Sequence, residues 1–209
     1  LGLVAVIGYM SSTEKKREFV ADNENFTVYF RRLYRLFMIT FILFMGYMFF
    51  LTISPVYLTE VTGSSSSMGL IMLGSGIIHA VTAPSAGKLV DKYPREMAIR
   101  LSSIFVIISM LTYSLTENVI LIVMVFTIPI YMTFFIGARA IVADTVPYEL
   151  RARTMGLLSS FSLLGGGVGS ISVGEILLHY NEQEAFLLGA FLAFIAFLLS
   201  LKDFSHLRN

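Results

Sequence analysis

The chain has 209 residues, 56% of them hydrophobic and 14% charged, with 18 Phe, 11 Met and a mean hydropathy of +0.78. A water-soluble domain is nearer half apolar and a quarter charged, so this balance points to a bilayer as the solvent. The lack of Cys excludes disulfides, thiolate metal sites and cysteine nucleophiles, and His79, His179 and His206 have no metal-ligand spacing, so no metal and no cofactor are expected.

Residues 1–10, "LGLVAVIGYM", are apolar but only half as long as the roughly 20 residues that a spanning helix needs. With no basic leader and no small-residue cleavage site, they read as the tail of a preceding transmembrane helix, and the chain as part of a longer protein. Residues 11–34 read as a cytoplasmic central loop. Its first half mixes both signs of charge. Its second half, "FTVYFRRLYRL", alternates aromatics with arginine and suits the membrane interface. These arginines do not point to nucleic acid, because basic clusters beside a membrane span are routine.

Six apolar runs follow, at 35–57, 67–89, 97–115, 118–142, 153–178 and 184–202, and 203–209 form a short tail. Each run is near the roughly 17–25 residues of a transmembrane helix, and none has the alternation of a barrel strand. All 15 Lys and Arg fall before the first span, between the second and third, around the fourth-to-fifth turn, or after the sixth. The intervening loops, "TEVTGSSSS", "LTEN" and "HYNEQE", hold none. By the positive-inside rule both ends of the segment are cytoplasmic.

The third span is mostly Ile, Leu, Met and Ser, and the sixth has almost nothing polar, so both are expected to face lipid as outer helices. The other four are expected inside. In the second span Ser75, His79 and Thr82 share a helical face, and His79 lies near mid-membrane. An ionisable group at that depth defaults to a functional role: carrying a coupled proton, bonding a substrate, or bonding a neighbouring helix as neutral imidazole. A Ser75–His79 catalytic pair lacks a third group to orient the base and lacks oxyanion donors. Tyr47 in the first span, between Thr40 and Ser54 at seven-residue spacing, and Thr127 with Tyr131 beside Pro129 in the fourth, form hydroxyl and aromatic stripes. Such stripes serve either packing or binding. In the fifth span Gly165 and Gly169, with Gly166 and Ser170, make small-residue pairs for close helix contact. No strand precedes them and no Gly-Lys-Ser/Thr follows, so they are not a phosphate loop. Glu175, one turn from the end of that span, reads as reaching the interface.

The charged stretch "GKLVDKYPREM" (87–97) resembles the loop motif of the major facilitator superfamily, Gly-x-Leu-x-Asp-Arg/Lys-x-Gly-Arg-Arg/Lys. Gly87, Leu89, Asp91, Lys92 and Arg95 match, whereas Pro94 replaces the usual Gly and Glu96 a usual base, the looser form of the C-terminal half. Residues 138–170, with an acid before Val-Pro, then basic residues, Met-Gly and a Gly-rich run, resemble the tenth and eleventh helices of the family. Residues 56–70 resemble the link from the seventh to the eighth. Met-Gly-Leu recurs at 68–70 and 155–157, opening the second helix of each triplet.

The resemblance implies an all-α membrane protein: six transmembrane helices in two inverted three-helix repeats, one half of a twelve-helix transporter. It implies no enzyme but a transporter of a small organic solute or drug, working by alternating access and proton-coupled, in the plasma membrane. Its partners are a small-molecule substrate, the lipid bilayer and a missing N-terminal six-helix half. Tyr47, Ser75, His79, Thr82, Thr127 and Tyr131 become candidate substrate contacts, with His79 the proton carrier. The second and fifth spans, with Gly165, Gly166 and Gly169, are expected to slide against the missing half. Gly87, Asp91, Arg95, Arg139 and Asp144 become a conformational latch, in which Gly87 gives close packing, Arg95 pairs with Asp144 and Asp91 partners Arg139. A self-contained six-helix channel or a dimerising half-transporter is the alternative.

Overall fold

The computed structural model describes residues 23–128 and 131–202, and these are helical apart from short connections. The seven helices are α1 (Asn23–Thr62), α2 (Ser65–Lys92), α3 (Arg95–Leu115), α4 (Val119–Thr127), α5 (Met132–Thr145), α6 (Tyr148–Leu177) and α7 (Glu182–Leu201). With α4 and α5 taken as one segment, six stretches are long and apolar enough to cross a membrane. The expected helix tail 1–10, the first half of the expected loop (11–22), Pro129 and the tail 203–209 lie outside the described residues.

Two boundaries differ from the sequence reading. Residues 23–34, expected within a loop, are the first turns of α1. No Pro or Gly interrupts that helix before Gly46, and Leu33, Leu36 and Phe37 bury one face at helical spacing. At about 1.5 Å per residue, α1 reaches about 60 Å, well beyond a hydrocarbon core of about 30 Å. The fourth span, expected as one helix, stops at Thr127 and restarts at Met132. Ile128 is extended (φ −76, ψ 121), the conformation that a following proline imposes on its neighbour. At Pro55 and Pro84, by contrast, the helix runs on.

α1 is the spine of the bundle, with its most extensive contacts to α6 and α7. Glycine brings the backbones together. A Cβ on Gly165 would sit 2.2 Å from the Phe41 carbonyl oxygen, and one on Gly169 2.4 Å from that of Met45. On the α7 side, a Cβ on Gly46 would lie 2.9 Å from the Gly189 oxygen. Gly166 of α6 faces Met48 of α1. The small-residue face of α6, expected to meet a missing half, is therefore occupied by α1. Its other face, with Leu163, Leu164 and Ile171, is exposed.

Burial within the described segment is uneven among the spans. α3 buries Ala98, Ser102, Ser103, Val106, Ser109 and Met110, and α7 buries Ala185, Phe186, Gly189, Ala190, Ala193 and Ala196. These two helices pack on each other and α7 on α1, while Ile108 on α3 and Phe191 and Phe194 on α7 remain exposed. Within this chain α2 buries only Ser75 and Val90, which leaves it open on the side expected to meet the other half. Serines explain the close packing of α3. They are small enough to allow close helix approach, and Ser102, Ser103 and Ser109 each donate to the carbonyl four residues back.

Each end of the bundle has its own tie. The last carbonyls of α7 lack intrahelical donors. Arg35 of α1 supplies Nε and Nη2 to the Leu199 oxygen (2.8 and 2.7 Å) and Nη2 also to that of Lys202. Arg100 of α3 donates to the Ser200 and Leu201 oxygens at 3.2 and 3.4 Å. At the opposite end Tyr57, Tyr113 and Phe186 form one aromatic cluster. There α1 turns into α2 through Gly63, whose φ of 67 lies in the left-handed region.

Replacing Gly165 with Val drives a side chain into the α1 backbone and is expected to destabilise the bundle by about 1–3 kcal/mol. Gly167→Val, where a Cβ meets nothing within 4 Å, is the control. Thermal unfolding in detergent checks this; equal midpoints for the two variants would refute the contact.

Candidate functional site

A cavity of about 200 Å³ opens between α1, α2, α3 and the α4–α5 break. Its walls are mainly aromatic: Tyr47 and Phe50 from α1, Phe105 from α3, Phe126 from α4 and Tyr131 at the start of α5. Tyr47 stacks on Tyr131 with ring centres 5.0 Å apart, and His79 meets the edge of Tyr131 at 5.5 Å. Among the described residues, Ser75, His79 and Ser109 are its polar side chains besides the two tyrosines, and no carboxylate, Lys or Arg lines it.

Four of the sequence candidates, Tyr47, Ser75, His79 and Tyr131, thus share one cavity. Thr82 and Thr127 do not line it. Their hydroxyls donate to the carbonyls of Ile78 (2.6 Å) and Val123 (2.7 Å), the usual resort of threonine in a helix without water. Sequence reasoning missed Phe50, Met72, Gly76, Phe105, Ser109 and Phe126. Helical spacing carried a signal for some of them: Phe50 is three residues from Tyr47, and Met72 and Gly76 flank Ser75 on the path to His79.

Ser75 is 4% exposed and bridges two helices. Its Oγ donates to the Phe126 carbonyl oxygen at 3.3 Å and lies 3.3 Å from His79 Nε2. That carbonyl is in the last turn of α4, where the helix provides no donor. A hydroxyl whose one proton goes to a carbonyl is not handing it to the imidazole. The geometry thus argues against a Ser75–His79 nucleophile.

The charged residues form a second constellation at the α2–α3 link. Arg95 donates from Nη1 to Asp91 Oδ1 at 3.0 Å and to the Val90 carbonyl at 2.7 Å, and from Nε to Asp144 Oδ2 at 3.4 Å. One guanidinium thereby joins the end of α2, the start of α3 and the end of α5. Arg151 repeats part of the pattern after α5, donating to the carbonyl of Val146 at 3.0 Å.

Two expectations are corrected here. Asp91 pairs with Arg95 and not with Arg139. Arg139 is exposed, its guanidinium 5.9 Å from the Phe135 ring centre, because its position on α5 lets it reach outward. Gly87 makes no close approach to any described residue, since a Cβ there would meet nothing within 4 Å. Glu175 lies 3.9 Å from His179 near the other end of α6.

Among the described residues no His, Asp or Glu group is arranged to hold a metal. A sequence profile of the Major Facilitator Superfamily matches residues 2–204. The chain is 26% identical over 152 residues to "Multidrug resistance protein MdtG" of Salmonella choleraesuis (strain SC-B67), covering 70% of this chain and 38% of that protein. It is 23% identical over 163 residues to "Multidrug resistance protein 1" of Bacillus subtilis (strain 168), covering 77% of this chain and 42% of that protein. The chain thus spans about two fifths of the length of these curated relatives. A membrane bundle with a cavity at its broken fourth span, and a profile match along nearly its whole length, make this chain a member of the major facilitator superfamily.

Proposed function

We propose that the chain is one six-helix half of a secondary transporter that moves a small organic solute or drug across the plasma membrane by alternating access. The observation that carries this reading is the aromatic cavity, lined from α1, α2, α3, α4 and the start of α5 in a chain of this family. A largely apolar pocket with a few convergent polar groups is the usual form of a small-molecule site. The relatives' names, multidrug resistance proteins, accord with an apolar, aromatic cavity that imposes few directional contacts.

In this reading Tyr47 and Tyr131 contact the solute and His79 carries the coupled proton. The exposed apolar faces of α2 and α6 meet lipid or the other half, which completes the path. Positive-inside topology puts the arginine-rich end in the cytoplasm. There the Arg95 junction with Asp91 and Asp144 acts as a latch that biases one conformation over the other and does no chemistry. No covalent step is assigned to any residue.

Transport from the full reading frame in proteoliposomes, with apolar aromatic dyes as probes, tests the proposal. Gly76→Leu projects a side chain into the cavity from a position where a Cβ meets nothing, so transport is expected to fall at least tenfold with thermal stability retained. Asp91→Asn is expected to slow transport with membrane insertion unchanged; wild-type rates would remove the latch. For His79→Gln the expectation is a flattened pH profile. A pH-dependent rate that survives the substitution takes His79 out of proton coupling.

A further inference from the structure

We infer that Ser75 is a positioning residue: it holds His79 in the Nε2–H tautomer and so makes Nδ1 the atom that receives a proton or a ligand's hydrogen-bond donor. The argument is a count of hydrogens. A backbone carbonyl can only accept, so in the contact between Ser75 Oγ and the Phe126 oxygen the serine must donate its single proton. The same oxygen lies 3.3 Å from His79 Nε2. With its proton committed, Ser75 can only accept there, and the imidazole must carry its hydrogen on Nε2. The chain of bonds therefore has one direction, from His79 Nε2–H to Ser75 Oγ–H to the Phe126 carbonyl.

Two consequences follow at the cavity. Nδ1 keeps its lone pair, and no described residue bonds it. A proton added at Nδ1 leaves the relay intact, because imidazolium still donates from Nε2. The titratable groups facing His79 across the cavity are Tyr47 from α1 and Tyr131 from α5, while α3 and α4 contribute no charged side chain to it. The ligand chemistry that matches is an aromatic or apolar body carrying an N–H or O–H donor. Tyr47 and Tyr131 would meet the body and Nδ1 the donor.

The relay also has a mechanical side. Ser75 fastens α2 to the end of α4, where the fourth span is broken. It ties the protonation site to the break in the fourth span.

The transport reading is needed for what the proton does, not for the relay itself. Imidazole-nitrogen NMR on the isotope-labelled full-length protein in nanodiscs tests it, with the His79→Gln spectrum identifying the His79 signals. The expected result is a protonated Nε2 and a bare Nδ1 at neutral pH, with acidification adding the proton at Nδ1 alone. Ser75→Ala is expected to give a tautomer mixture, and Ser75→Thr to restore the Nε2–H form. A wild-type Nδ1–H tautomer, or a Ser75→Ala spectrum unchanged from wild type, overturns the relay. Transport by the same purified protein reconstituted in proteoliposomes separates the two ideas: the Nε2–H signature in a protein that moves no solute supports the relay and overturns the transport reading.

Discussion

Helices in lipid gain nothing from hiding apolar side chains, because the lipid tails are as apolar as leucine. Association must come from surfaces that fit, and here the fit is made where other backbones press on α1. Gly165 and Gly169 let α6 approach the Phe41 and Met45 carbonyls, and Gly46 opposes Gly189 on the α7 side. Phe37 stacking on Phe161, 5.2 Å between ring centres, extends the α6 contact. Everything else hangs from this spine. It sets where Tyr47 and Phe50 stand, and so where one wall of the cavity lies.

The same solvent governs the polar residues. A hydroxyl in hydrocarbon has no water to bond, and most of those in the bundle take the carbonyl of their own helix four residues back. Thr40, Thr82, Thr127, Ser102, Ser103 and Ser109 all do so. Ser75 instead reaches across to another helix, to the Phe126 carbonyl in the last turn of α4. A break in one span thus draws the polar contact of a second span towards it. The cavity sits where those two facts meet.

The six spans were legible because hydropathy over some twenty residues is a strong signal, and only the start of α1 strayed far from it. What each helix packs against was not legible. Hydropathy scores a side chain against a solvent, whereas close helix contact depends on small residues that score near zero, such as the serines of α3 and the alanines of α7. The split at Thr127 was signalled by Pro129, but Pro55 and Pro84 carry the same signal inside unbroken helices. In the site, periodicity singled out Tyr47, Ser75, His79 and Tyr131. It also singled out Thr82 and Thr127, since a hydroxyl's place in a stripe does not reveal that its own helix has claimed it. Asp91 and Arg95 were visible as a motif, but their pairing with each other was a matter of geometry.

The clamp of Arg35 and Arg100 on the end of α7 bears on the order in which the chain can be assembled. Arg35 and Leu199 are 164 positions apart, so the first described helix cannot meet these acceptors until nearly the whole segment has been synthesised. The arrival of α7 then covers Gly46 and brings the Leu199 and Ser200 carbonyls to the two arginines in one event, so this clamp forms late in synthesis however early α1 is made.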